Sequence, residues 1–328
     1  MMQQSVLLND DHGPNISISV PQPYNKIGDG PEGPEVKLMS DGITKVLLHH
    51  NLVGIVIHSG KYSRKPPKGY QELLDVLPQK VTEIGTRGKF NWIQLSNGMS
   101  IWITYGMSGG IRYQKDKHSH VEFVTSNNDQ PSFWYSDARN FGNITCACTQ
   151  KELENKLATM GHDVMDSEIL DDHIYLSKCR RYNRVNICKF IMDQKVISGP
   201  GNYFKAEVLY ATRINPYLHI ENLSDVQLLE LYQFMRNLAQ KSYQARGASL
   251  YTYVGTQNDK GSFQDCLKIY GKKTDPYGNR VITVSDTPDN RTTYFVPELQ
   301  SIPFLVIRLP DEESVKVEIK RVYKSSFV

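Results

Sequence analysis

Asp193-Gln194-Lys195-Val196-Ile197-Ser198-Gly199-Pro200-Gly201-Asn202-Tyr203-Phe204-Lys205-Ala206-Glu207 reads as two helices separated by a tight double turn. The first helix must stop at Gly199-Pro200-Gly201, because proline lacks the N–H a helix interior needs and glycine tolerates turn backbone. Asn202 is placed to cap the second helix. The product is a helix–two-turn–helix, and the exposed N–H groups at such a helix start can hold a phosphate. The Asn202 side chain can add a hydrogen bond to that same phosphate. Glu207 lies too deep in the second helix to cap it, so it is either an internal acceptor or solvent-facing. Upstream, Lys178, Arg180, Arg181 and Arg184 add positive charge, which suits a polyanion as well as it suits an ordinary solvated face.

Working outward, helical spacing covers 149–159, roughly 165–178, 185–197, 201–212 and 223–245, with breaks at Gly161 and Asn215-Pro216. Toward the N-terminus the apolar period shortens to two. Gly54-Ile55-Val56-Ile57, Phe90-Asn91-Trp92-Ile93-Gln94-Leu95 and Ser100-Ile101-Trp102-Ile103 read as strands, and Ser96-Asn97-Gly98 reads as the turn of a hairpin. Before them, Val36, Leu38, Met39, Ile43, Val46 and Leu47 recur at helical spacing directly after Pro34 and Glu35. The chain is therefore expected to be α+β. A β-rich N-terminal domain spans 31–145, a helical domain 146–247, a small β region 248–300 and a tail 301–328. Residues 1–30, rich in Asn, Asp, Pro, Gly and Gln, read as a flexible leader.

The 328 residues, 39% apolar, can supply cores for more than one domain. The formal net charge of +3 names no partner; setting the leader aside raises it to +5 for the remainder. Five cysteines are too few and too odd in number for a disulfide scaffold and fit a reducing compartment. No basic run precedes an apolar one at the start, and no stretch approaches eighteen apolar residues. An intracellular protein without a membrane span is expected.

Several clusters admit a chemical reading beside a plain one. Gly30-Pro31-Glu32-Gly33-Pro34-Glu35 would pass as a turn before a helix whose glutamates complement the helix dipole. An N-terminal Pro31 would instead carry a secondary amine able to attack a sugar C1′ and form an iminium, with Glu32 moving the proton. Lys89, in Thr86-Arg87-Gly88-Lys89, is either exposed charge or a phosphate contact. Met107, in a glycine-rich loop, is a core methionine or a wedge between bases. Lys117-His118-Ser119-His120 puts two imidazoles on one strand face, which favours loop fixing or a phosphate contact over half a metal site. In Ser136-Asp137-Ala138-Arg139-Asn140-Phe141-Gly142, Arg139 can present a two-donor fork to an orphaned base or make a surface ion pair, and Phe141 can fill space in a stack.

Taken in order, these segments resemble the formamidopyrimidine-DNA glycosylase/endonuclease VIII family, from Pro31 to about Gln300. They are Pro31 to Glu35, Arg87 to Lys89, Tyr105 to Gly109, Lys117 to His120, Asp137 to Gly142 and Gly199 to Glu207. The resemblance implies a β-sandwich in the N-terminal domain and a C-terminal β-hairpin finger. It implies a bifunctional glycosylase and abasic-site lyase of base excision repair, active at DNA. Pro31 is then the nucleophile, Glu32 its proton-transfer partner and Glu35 a helper in placing the lesion-bearing sugar. Lys89 is counted with the catalytic residues and, like Asn202, as a phosphate contact, while Met107, Arg139 and Phe141 fill the space left by a flipped nucleotide. The implied partner is damaged duplex DNA, with single-stranded DNA a second form to consider. No cofactor, membrane or obligate protein partner is implied, and the protein is expected to be a monomer.

Two features depart from the family pattern. The family often binds zinc through four finger cysteines, but Thr274, Tyr277, Val296 and Leu299 stand at those positions, so a zincless finger held by packing and hydrogen bonds is expected. Arg291 is the phosphate contact in that frame, with support of the turn as the plain reading. The zincless type points to oxidised pyrimidines as preferred lesions over 8-oxoguanine or formamidopyrimidines, although the pocket loop from Gly247 to Gly261 has no decisive hydrogen-bond pattern. Second, Pro31 follows Gly30, so its nitrogen is a tertiary amide until that bond is cut. Processing, another start, a different nucleophile such as Lys89, or a catalytically silent DNA-binding protein would each account for this.

Overall fold

Period-two alternation between residues 51 and 149 becomes eight antiparallel strands. The computed structural model describes residues 30–247 and 263–301. Leader residues 1–29, all of the pocket loop beyond Gly247, and the tail from 302 lie outside the described residues. Helix α1 (Gly33–Leu47) comes first, followed by β1 (Asn51–Ile57), a short α2 (Tyr70–Leu74), β2 (Gln79–Arg87), β3 (Phe90–Leu95) and β4 (Met99–Thr104). Then come β5 (Gly109–Arg112), β6 (Ser119–Thr125), β7 (Ser132–Asp137) and β8 (Asn143–Thr149). The strand order is β5-β7-β6-β1-β2-β3-β4-β8. Only Asn51↔Lys80 and Leu52↔Gln79 join β1 to β2, so the order falls into two four-stranded leaves. Inward residues of both leaves, Ile55 and Phe123 on one and Ile93 and Ile103 on the other, share one core with Val36, Ile43 and Leu47 of α1. That is the sandwich the sequence implied, closed on one side by a helix. The expected hairpin is present: β3 and β4 pair through Trp92↔Trp102, and Gly98 supplies the positive φ of 83° that the turn needs.

The helical domain contains α3 (Gln150–Ala158), β9 (His162–Asp163), α4 (Asp172–Arg180), α5 (Ile187–Met192), β10 (Ile197–Ser198), α6 (Asn202–Ala211) and α7 (Asp225–Gln244). Two helices are shorter than their apolar spacing predicts. Helix α4 starts at 172 rather than near 165, because Asp171 caps it through the N–H groups of His173 and Ile174 at 2.9 and 3.2 Å, while the Asp163 carboxylate turns the chain at Met165. Helix α5 ends at Met192 rather than 197. There the Asp193 carboxylate accepts from Lys195 N–H at 2.9 Å, a local turn that outcompetes another helical bond. The freed residues Ile197 and Ser198 pair in parallel with His162 and Asp163.

The finger, β11 (Ile282–Val284) and β12 (Thr293–Phe295), is an antiparallel hairpin. It has no core of its own. Leu267, Ile269, Tyr270, Val281 and Val296 join the helical domain's cluster around Phe204, Leu209 and Met235. Helix α1 bridges the other way, its Asp41 accepting from Tyr243 Oη on α7 at 2.6 Å. No described helix is long and apolar enough to cross a membrane.

Candidate active site

The start of α1 is pressed against the start of α6. Gly33 N–H donates to Gly199 O at 2.9 Å, and Tyr203 N–H donates to Glu32 Oε1 at 2.9 Å. Glu32 thus lies at the positive end of α6, where the helix dipole favours an anion. Lys89 arrives from the two-residue turn between β2 and β3. A Cβ placed on Gly201 would lie 2.4 Å from both Glu32 Cδ and Lys89 Nζ, so carboxylate and ammonium converge on one backbone position and a side chain there would displace them. The Lys89 turn is pinned in place by Asp163 Oδ2, which accepts from Gly88 N–H at 2.6 Å. Burial pushes the Asp163 carboxyl above its ordinary value despite that bond and a second one from Met165.

Glu32 and Glu35 are both about 1% exposed. Glu35 Oε2 accepts from Glu32 N–H at 3.0 Å, and Oε1 accepts from Tyr203 Oη and Ser242 Oγ, each at 3.2 Å. Burial and the two carboxylates raise the Tyr203 hydroxyl well above its usual range, so it remains a donor at neutral pH. Tyr203 and Ser242 were not singled out from sequence. A tyrosine one residue into a helix and a serine in the last turn of another carry no signal until α6 and α7 meet over α1. Asn202 occupies the first helical position of α6, 6% exposed, while Gly201 is the cap. The expectation that Asn202 itself caps the helix is thereby corrected: Gly201 takes the cap, where the backbone passes Glu32 and Lys89.

Beside this cluster two loops form one unit. Met107 and Arg139 meet, with Arg139 Nη1 3.9 Å from Met107 Sδ. Phe141 projects outward at 64% exposure. Behind them Asp137, 1% exposed, holds the unit: Oδ1 accepts from Ser108 Oγ and from Arg139 N–H at 3.2 Å, while Oδ2 accepts from Gly142 N–H at 2.8 Å and Tyr135 Oη at 3.3 Å. His120 fixes the same loop from below, bonding Asp137 O at 2.9 Å and Ser59 Oγ at 2.8 Å. Gly30 abuts the unit, since a Cβ there would lie 1.9 Å from Gly106 O and 2.6 Å from Met107 Cα. The upstream basic residues divide. Arg180 is tied to Asp225 and to the carbonyls of Ile220 and Leu223, Lys178 donates to Val196 O, and Arg181 and Arg184 are exposed.

Comparison with known proteins places this fold. A model described as the formamidopyrimidine-DNA glycosylase N-terminal domain matches residues 30–144, and one described as the formamidopyrimidine-DNA glycosylase H2TH domain matches 160–253. The chain belongs to the formamidopyrimidine-DNA glycosylase/endonuclease VIII family. It is a DNA glycosylase of base excision repair, in a family that couples base removal to abasic-site lyase chemistry. Formamidopyrimidine-DNA glycosylase of Wolbachia pipientis from Culex pipiens is 28% identical over 278 residues, 83% of this chain and 100% of that protein. The enzyme of the Brugia malayi Wolbachia is 29% identical over 279 residues, with the same coverage. Among solved structures, MutM (Fpg) from Thermus thermophilus superposes with a TM-score of 0.72 at 22% identity, covering 82% of this chain and 98% of that one. Wild-type Lactococcus lactis Fpg bound to DNA containing an oxidised pyrimidine gives 0.71 at 21%, covering 83% and 100%. These two share the fold.

Within the family frame the finger stands apart. Thr274 bridges to Arg280, Tyr277 is 83% exposed, Val296 is fully buried and Leu299 packs on the helical core. With neither thiolate nor imidazole among them, these positions do not fit a zinc ion. The turn is organised instead by Asp275, which accepts from the N–H groups of Tyr277 and Asn279 at 2.9 and 2.8 Å and from Tyr210 Oη at 3.0 Å. Glu207, left open as internal or solvent-facing, is internal: its carboxylate accepts from the N–H groups of Lys268, Ile269 and Tyr270 at 2.8, 2.9 and 2.8 Å. Arg291 is exposed on the loop that leads into β12.

Proposed function

We propose that this protein is a bifunctional glycosylase/lyase that excises oxidised bases from duplex DNA, pyrimidines preferentially, with Pro31 as nucleophile. The observation that carries the reading is the convergence of Glu32 and Lys89 on Gly201, at the positive end of α6 and directly beside Pro31. Once free of Gly30, the Pro31 nitrogen attacks C1′ of the damaged nucleotide and the base departs as the sugar ring opens to an iminium. Glu32, one residue away, moves the proton. Loss of the proton at C2′ then eliminates the 3′-phosphate and cuts the strand, and water releases Pro31.

The remaining residues take supporting parts. Glu35, clamped by Tyr203 and Ser242, helps place the lesion-bearing sugar. Lys89 and Asn202 hold phosphates flanking it, and Arg291 holds one from the finger side. Met107, Arg139 and Phe141, already one preformed unit, enter the duplex and offset part of the unstacking cost of flipping. DNA lies between the β-rich domain (31–145) and the helical domain (146–247), and one chain suffices to form the site. The pyrimidine preference rests on the zincless finger. The relatives' name favours formamidopyrimidine lesions instead, and base release from matched duplexes carrying either lesion separates the two.

The decisive measurement is borohydride trapping on abasic duplex, followed by peptide mapping, for a form beginning at Pro31 and for the full chain. An adduct on Pro31 in the shortened form and none in the full chain is the expected result. An adduct on Lys89 moves the nucleophile away from Pro31. Absence of both adducts and of base release leaves a silent damage-binding protein. Glu32→Gln in the shortened form is expected to lower excision by about 10²–10⁴-fold.

A further inference from the structure

Lys205 is the least expected residue in α6. It lies one helical turn beyond Gly201 and is 0% exposed, although a lysine in a helix is ordinarily solvated. Its ammonium contacts Asp289 Oδ2 in the finger, and Asp289 is itself only 2% exposed. A charge taken out of water this completely is tolerated only when paired and hydrogen-bonded. The pair is part of a larger knot. Asp289 Oδ1 accepts from Thr287 Oγ1 at 2.7 Å, and the Thr287 and Thr293 hydroxyls lie 2.9 Å apart. Both threonine hydroxyls also reach the Arg291 carbonyl, each at 3.3 Å. Thr287 and Thr293 are buried, whereas the Arg291 side chain is exposed.

We propose that Lys205, through Asp289 and the two threonines, is the positioning residue that aims Arg291 at the DNA. Helix α6 then does two jobs. Its first turn presents Asn202 at the phosphate-binding end, and its next turn fixes the finger loop, so both groups are set by one rigid element that rises about 1.5 Å per residue. The ion pair ties the finger loop to a fixed point on α6. The inference rests on the proposed reading of Arg291 as a phosphate contact.

The test is a mutant cycle on full-length protein, reading affinity for a duplex with a stable abasic analogue across a salt series. Arg291→Ala is expected to weaken binding and reduce the salt slope by about one phosphate contact. Lys205→Met is expected to reproduce both changes, and Lys205→Met/Arg291→Ala to bind no more weakly than Arg291→Ala alone. Thr287→Val keeps the ion pair but cuts its link to the Arg291 carbonyl, leaving only the Thr293 hydroxyl there, so it is expected to fold normally by near-UV circular dichroism yet share the reduced slope. A merely structural Lys205 would leave the slope of the folded protein unchanged. A normal slope in both Lys205→Met and Thr287→Val, or additive losses in the double variant, overturns the inference while the Arg291 reading stands. An unchanged Arg291→Ala overturns that reading and the inference with it.

Discussion

Two arginines face outward from this molecule on loops knotted around a buried aspartate, and the two knots are built differently. Behind Arg139, Asp137 is satisfied by neutral donors: two hydroxyls and the N–H groups of Arg139 and Gly142. Behind Arg291, Asp289 is satisfied by one hydroxyl and the buried ammonium of Lys205. The first knot is closed within one domain, between the β7–β8 connection and the β4–β5 connection, 29 residues apart at most. The second is closed by a helix 84 residues away in sequence. A carboxylate held by neutral donors leaves only dipoles behind when it is removed, whereas one held by an ammonium leaves a stranded charge.

That difference sets the order of the expected effects. Asp289→Ala is predicted to cost about 3–5 kcal/mol of folding stability, since Lys205 is left charged in a dry site. Denaturant unfolding measures it, and recovery in Lys205→Met/Asp289→Ala would tie the loss to the stranded ammonium. Asp137→Ala is predicted to cost less, about 1–3 kcal/mol, from unsatisfied N–H and hydroxyl groups. It is also predicted to impair excision more than abasic-site cleavage, because Met107, Arg139 and Phe141 lose their common frame. An equal loss for the two aspartates would erase the distinction between the knots.

Glu207→Gln sharpens it from another side. The Glu207 carboxyl is raised by burial, against three N–H donors that favour its ionised form. The amide offers one acceptor and brings its own donors toward those N–H groups, for an expected loss of about 1–3 kcal/mol. Smaller still is Arg139→Ala, expected within about 0.5 kcal/mol in stability because its side chain is exposed, but with weakened lesion binding.

The smallest effect concerns acid. Burial pushes the Asp116 carboxyl up, but the His118 N–H, the Ser136 and Ser119 hydroxyls and Arg112 more than offset it, and the carboxyl lies below its ordinary value. Its stabilising contribution is therefore present above the unfolded-state pKa and lost as pH falls through the folded one. Asp116→Asn should lower neutral stability by that same small contribution and flatten the acid limb, so that variant and parent converge as pH falls between about pH 5 and 2.

Sequence pattern by itself determined the α+β organisation, the position of the double turn at Gly199-Pro200-Gly201 and the order of the family's motifs. Apolar period and glycine–proline chemistry act over a few residues, so they are readable from neighbours. The same locality explains the overlong α4 and α5: periodicity continued past Asp171 and Asp193, where side-chain capping and turning of the backbone ended or delayed the helix. Tertiary structure alone decided which polar groups are buried and with whom. Nothing near Lys205 in sequence tells a solvated helix lysine from a buried one; that depends on Asp289 arriving from the finger. Tyr203 and Ser242 meet at Glu35 for the same reason, and Glu32 and Lys89 converge on Gly201, the cap of α6, from two other elements. A buried polar group is stable only with its partner, and the partners here lie far apart along the chain and meet only when it folds.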